Sequence, residues 1–134
     1  MLTRMSDPNA EQVIIVAEGQ GGRRKAASLE LSHRILPTGE AVAVIGGELD
    51  IATADAAVRY VTQVIDPHHG PVIVDLTALR FCDAGGLSAL LRIALYAEQG
   101  DHKFTVTSPS PWLVKLLRIT ALDRKLLGAT GPGA

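Results

Sequence analysis

Few residues of this 134-residue chain stand in a pattern that could do chemistry. Cys82 offers the one thiol, His68-His69 a pair of imidazoles, and Asp50, Asp55 and Asp83 carboxylates beside apolar segments. A lone cysteine forms no internal disulfide, which fits a reducing compartment. Its plain role is a small core residue, and its sharper one a redox handle that blocks a nearby docking surface when oxidised. Two adjacent histidines without further spaced ligands read as a solvated loop, so no metal is expected. Phosphate-binding signatures such as GxxxxGK[ST] or GxGxxG after a strand are absent, and no Ser/His/Asp set is marked by local context. The sequence is therefore read as non-enzymatic and free of cofactors.

The richest stretch runs from Val72-Ile73-Val74 through Cys82-Asp83-Ala84-Gly85-Gly86-Leu87. A buried strand ends, a short connection follows, and a helix opens on Asp83 as N-cap. Two glycines in a first helical turn cost roughly 1 kcal/mol each relative to alanine. Such a cost implies close approach there, of a neighbouring loop or of a partner's backbone. The turn is thus a helix N-terminus built for contact, and docking to another protein is the chemistry it suggests. Ser88, one helical turn after Ala84, and Thr77 are the nearest hydroxyls. Both have an ordinary surface role as the plain alternative.

The elements that position this turn follow from periodicity. Leu29, Leu31 and Ile35 alternate as a half-buried strand; Pro37-Thr38-Gly39-Glu40 turns the chain; Ala41 to Ile45 is a central strand that Gly46-Gly47 ends or bulges. Thr53 is expected to cap a helix whose stripe is Ala54, Ala57, Val58, Val61, Val64 and Ile65, with Asp55 favouring its start. Asp66-Pro67 stops it. After Val72-Ile73-Val74, the helix opening at Ala84 buries Leu87, Leu90, Leu91, Ala94 and Leu95, and Gly100 ends it. Phe104-Thr105-Val106 is a third buried strand. Ser110 caps and Pro111 opens the last helix, with Leu113, Leu116, Leu117 and Thr120 inward. Trp112 divides between a core role and an interface anchor. The order β-β-α-β-α-β-α predicts an α/β domain with one mixed sheet and helices packed on it.

Flanking segments and composition complete the frame. Residues 1–28 form an arm, expected to be flexible, in which Val13-Ile14-Ile15-Val16-Ala17 is left open as a strand, a segment added to a partner, or a pairing across a homodimer. Residues 128–134 are a Gly/Pro-rich tail expected to fray. The net charge of −1 gives no field for direct nucleic-acid binding, and Arg23-Arg24-Lys25 is too short to supply one. No apolar run approaches the roughly 18 residues needed to cross a bilayer. Met1 to Asn9 has no apolar signal core, so a cytoplasmic location without membrane insertion is expected.

Four pieces, in order, resemble the STAS domain family, whose best-known members are anti-sigma factor antagonists. Asp75-Leu76 followed by Asp83-Ala84-Gly85-Gly86-Leu87 resembles the family's Asp-Leu strand end and its Asp-Ser-Ser/Ala/Thr-Gly-Leu helix start. Gly47-Glu48-Leu49-Asp50 resembles its Gly-Glu-Leu-Asp, Ser108-Pro109-Ser110-Pro111 its Ser-Pro, and Leu117-Arg118-Ile119-Thr120-Ala121-Leu122 its Leu-x-x-x-Gly-Leu ending. The resemblance spans residues 29–127. It implies binding to an anti-sigma factor of ATPase or kinase fold, which releases a sigma factor. It also implies a site built from Asp50, Asp83, Ala84, Gly85, Gly86 and Ser88, with Asp50 and Asp83 either sharing one acidic edge or acting only as caps.

The decisive position departs from the family. Ala84 stands where relatives carry the phosphorylated serine, and Gly85 follows, so neither offers a hydroxyl. A phosphate switch at this turn is excluded, and Ser88 is the remaining weak candidate. The further helix common after the Leu122 region is not expected here. Two other roles stay open: a STAS subunit docked on the ATPase of a membrane transporter, and a small-ligand or nucleotide sensor.

Overall fold

Alternation at Leu29 and Leu31 and the near-continuous apolar run from Ala41 set the centre of the sheet, and the pairing of the two strands follows from the short turn between them. In the computed structural model, which describes residues 2–3, 11–17 and 27–127, the elements are β1 (Leu2–Thr3), β2 (Glu11–Ala17), β3 (Ala27–Ile35), β4 (Ala41–Leu49), α1 (Ala54–Ile65), β5 (Val72–Asp75), β6 (Leu79–Cys82), α2 (Ala84–Gln99), β7 (Phe104–Thr107), α3 (Pro111–Ile119) and α4 (Asp123–Leu127).

The sheet runs β1-β2-β3-β4-β5-β7, and β6 pairs the far end of β4. The first four strands are antiparallel neighbours, whereas β4/β5, β4/β6 and β5/β7 are parallel, as strand–helix–strand crossovers require. The mixed α/β sheet is the architecture expected.

Several local points are sharpened or corrected. Of the roles left open for Val13 to Ala17, the structure has the strand, with Ala17 opposite Ala27 and Val13 opposite Leu31. The rest of the arm and the tail lie outside the described residues. Of the two outcomes expected at Gly46-Gly47, the strand does not end, since β4 continues to Leu49, but its pairing with β6 shifts register between Gly47 and Glu48. Gly47 sits at φ +82°, where a Cβ would lie 2.3 Å from the Ser28 carbonyl oxygen, so this position of the ladder needs glycine. Strand β6 was not anticipated, and a short helix, α4, does follow Leu122 where none was expected, held there by Leu126 and Leu127 in the core.

One core joins sheet and helices. Ala43, Ile45 and Leu49 of β4 and Val72 and Val74 of β5 bury with Ala57, Val61 and Ile65 of α1 and Leu90, Ile93 and Ala97 of α2. Of the expected α2 stripe, Leu87, Leu90 and Ala94 are buried, but Leu91 is half-buried and Leu95 exposed, and Ala89, Ile93 and Ala97 are buried as well. Arg92 donates to the Asp55 carboxylate at 3.2 Å and Tyr96 donates to Asp66, which ties the two helices at the surface. In α3, Leu113 and Leu117 are buried, Leu116 is half-buried, and Thr120 is exposed at the C-cap.

Candidate functional site

The parallel strands deliver three helix N-termini to one end of the sheet: α1 after β4, α2 after β6 and α3 after β7. The Asp83 turn lies there. The Asp83 Oδ1 accepts from the Gly86 N–H at 3.0 Å, so the expected cap is formed. Its neighbour is the loop between β4 and α1. The Asp83 N–H donates to the Leu49 carbonyl at 3.3 Å.

That loop explains both glycines. A Cβ on Gly86 would lie 2.1 Å from the Leu49 carbonyl oxygen and 2.8 Å from the Cys82 sulfur; one on Gly85 would lie 2.8 Å from the Ile51 Cα. Of the two demands a Gly-Gly pair implies, the structure has the neighbouring loop, backbone against backbone. The loop is held by its own bonds. The Asp50 Oδ1 accepts from the Ala52 N–H at 2.9 Å and the Thr53 N–H at 3.1 Å. The Thr53 hydroxyl donates to the Glu48 carbonyl and accepts from the Asp50 N–H, each at 2.9 Å.

Thr53 therefore occupies the N-cap position without making the expected capping bond. It is fully buried and turned back into the loop, while Asp50 takes the Thr53 N–H on its carboxylate and the Ala54 N–H on its backbone carbonyl. Ser110 likewise makes no side-chain cap, although Pro111 opens α3 as expected. Asp50 and Asp83 sit in adjoining loops, and each carboxylate accepts from backbone N–H groups of its own loop or helix start.

On this frame Ala84 and Ser88 are exposed, one turn apart on α2; Gly85 is half-buried and Gly86 buried. Thr77 is occupied, its hydroxyl donating to Asp75 at 2.6 Å. Cys82 is buried at 6% exposure, and desolvation, with a smaller contribution from the Asp83 charge, pushes its thiol up to about 12. A thiol so held carries little thiolate near neutral pH, which disfavours the redox reading. Trp112, for which a core role was weighed, is 41% exposed.

The histidines lie at the other end of the sheet. His68 stacks on His102 with ring centroids 6.2 Å apart, and their ring nitrogens meet the Pro71 and Gly70 carbonyls at 3.1 and 3.0 Å. Among the described residues no group of three or more His, Cys, Asp or Glu could hold a metal, and no helix is long and apolar enough to cross a membrane.

Two residues beside the turn escaped the sequence reading. Ile51, next to Asp50, is 82% exposed, and Phe81 is 48% exposed. Phe81 is set outward by a bulge: Gly47 pairs Leu79 and Glu48 pairs Phe81, leaving Arg80 extra, so Leu79 and Cys82 stay buried while the residues between them face solvent. No alternation in Leu79-Arg80-Phe81-Cys82 signals this.

The family model STAS_2, described as Mlab, STAS domain, matches residues 36–128. The chain belongs to the STAS family. Its STAS fold is also seen in solved structures. Phosphorylated SpoIIAA, a Bacillus cell fate determinant, is similar at 20% identity and TM-score 0.57, covering 75% of this chain and 91% of SpoIIAA. An anti-sigma factor antagonist from Mycobacterium paratuberculosis is similar at 23% identity and TM-score 0.57, covering 94% and 92%. The unphosphorylated SpoIIAA structure, also an anti-sigma factor antagonist, gives 19% identity and TM-score 0.53, covering 66% and 82%. Among curated proteins none matches the sequence.

Proposed function

We propose that this STAS protein is a non-enzymatic anti-sigma factor antagonist that works without phosphorylation at its docking turn. In this reading Asp83, Ala84, Gly85 and Gly86, with Ser88 and the Asp50 loop, meet an anti-sigma factor of ATPase or kinase fold and displace its sigma factor. The observation that carries the reading is the exposed Ala84 at the first position of α2: an accessible helix start with a methyl group where a hydroxyl would be modified. Family membership and the fold shared with two anti-sigma factor antagonists support the choice of partner class.

The test is calorimetric titration of the purified chain with each anti-sigma factor of the source organism. At least one binds. Ala84→Glu weakens that complex by about tenfold or more, because it places a charge in a close-packed contact. Failure of folded wild-type protein to bind any of them rejects the reading. A second role, docking on the ATPase of a membrane transporter, is favoured by the same missing hydroxyl, since such a subunit needs no switch at this turn. Co-purification with a transporter ATPase, in the absence of anti-sigma binding, selects it.

A further inference from the structure

We propose that Ile51 and Phe81 are the apolar anchors of this docking surface, and that the partner meets them with an apolar recess rimmed by lysine or arginine. The inference rests on the reading of the Asp83 turn as the docking site and states what chemistry the partner must bring.

Single exposed apolar residues are ordinary on a protein surface. The weight lies in where these two stand. Ile51 has its backbone packed on Gly85, so its 82%-exposed side chain projects from a fixed loop. Phe81 is turned out by the β6 bulge two residues before Asp83. The exposed methyl of Ala84 follows at the helix start. Leaving an isoleucine and a phenylalanine in water forgoes up to roughly 1.5–3 kcal/mol of burial each, which a partner recovers.

Charge selects the partner. Glu48, the register partner of Phe81, and Asp50 and Asp83 in the two adjoining loops form no ion pair among the described residues. The ion pairs there are Glu30 with Arg80, Asp55 with Arg92 and Glu98 with Lys125. An apolar centre flanked by three unmatched carboxylates is complementary to an apolar recess with a cationic rim. A second copy of this chain is a poor occupant, because a two-fold contact would set acidic rim against acidic rim. Nucleic acid is repelled for the same reason.

The experiment titrates the full-length chain, labelled at isoleucine methyl groups, with each purified anti-sigma factor that binds the wild type. The Ile51 methyl signal shifts or broadens on binding. Ile51→Ser and Phe81→Ser each weaken the complex by about tenfold. Glu48→Lys weakens it and flattens its dependence on salt, as loss of a rim charge should. Ile51→Lys serves as a second probe, and thermal melts confirm that each variant folds. Wild-type affinity in both Ile51→Ser and Phe81→Ser, or binding indifferent to salt, overturns the inference while leaving the docking reading intact. Absence of binding by any anti-sigma factor overturns both.

Discussion

Replacing Gly86 by alanine sets two opposed effects against each other. Alanine inside a helix is favoured over glycine by about 1 kcal/mol, so on propensity alone Gly86→Ala stabilises α2. The added Cβ, however, would stand 2.1 Å from the Leu49 carbonyl oxygen, 2.9 Å from its carbon and 2.8 Å from the Cys82 sulfur. Separations under 3.0 Å are not tolerated, so something must move. Leu49 is fully buried, and its carbonyl also accepts the Asp83 N–H, so moving it disturbs both the core and the cap residue. Overpacking of this kind costs roughly 1–3 kcal/mol and occasionally more, and a backbone obstacle belongs at the upper end. The net is a loss of about 2 kcal/mol, seen as a fall in Tm of roughly 8 °C for a domain of this size. Gly85→Ala meets the Ile51 backbone at 2.8 Å, a shallower overlap than the 2.1 Å at Gly86, and displaces no buried core residue, so its loss is smaller. Calorimetric melts of the two variants decide the matter. A Tm for Gly86→Ala at or above wild type, or a larger loss at Gly85 than at Gly86, refutes the claim that β4 and α2 meet backbone to backbone.

Two further outcomes follow from the loop and the thiol. Thr53→Val keeps the side-chain volume but strips the Glu48 carbonyl and the Asp50 N–H of their shared hydroxyl; a loss of about 1–3 kcal/mol is expected in denaturant titration, with Thr53→Ser close to wild type. Cys82 has its thiol raised from 9.0 to about 12 by burial, so the folded state holds its proton where the unfolded chain releases it. Its contribution to stability is therefore whole below pH 9.0 and falls as pH rises toward about 12, and Cys82→Ala removes that part of the alkaline slope. A thiol reagent near pH 8 should label the folded protein far more slowly than the denatured one.

What could be read from the sequence was what neighbouring residues decide among themselves. The Asp83 cap spans three residues, and a carboxylate before a helix has few other local partners. The cost of Gly85-Gly86 announced a close approach, because nothing else explains two poor helix formers together. Which backbone approached was hidden, since Leu49 and Ile51 arrive from the far side of α1. Thr53 misled for the same reason: by local rules it caps, but the Glu48 carbonyl, brought round by the turn at Asp50, takes its hydroxyl. Strand β6 owes its existence to β4, and its bulge breaks the alternation that would have revealed it. Ile51 and Phe81 could not be sorted from core residues by type, because hydrophobicity is what an anchor and a core residue share.

If the Asp83 turn docks a partner as proposed, it has to be governed by something other than a phosphate on its own first residue. Ser88 is the exposed hydroxyl one turn along α2, yet it is a poor replacement. The unpaired N–H groups and the positive end of the helix lie at the first turn, where Asp83 already accepts the Gly86 N–H. A phosphate on Ser88 would find fewer free donors and would add charge to a surface whose Glu48, Asp50 and Asp83 form no ion pair among the described residues. Burial keeps the Cys82 thiol out of the same role. What this surface does offer is strong dependence on the partner's own charge: three carboxylates around two apolar anchors make association sensitive to every cation on the opposing rim. On the proposed reading, selectivity built this way needs no switch on this chain, and it places control in how much of each protein is present and in which partner carries the matching rim.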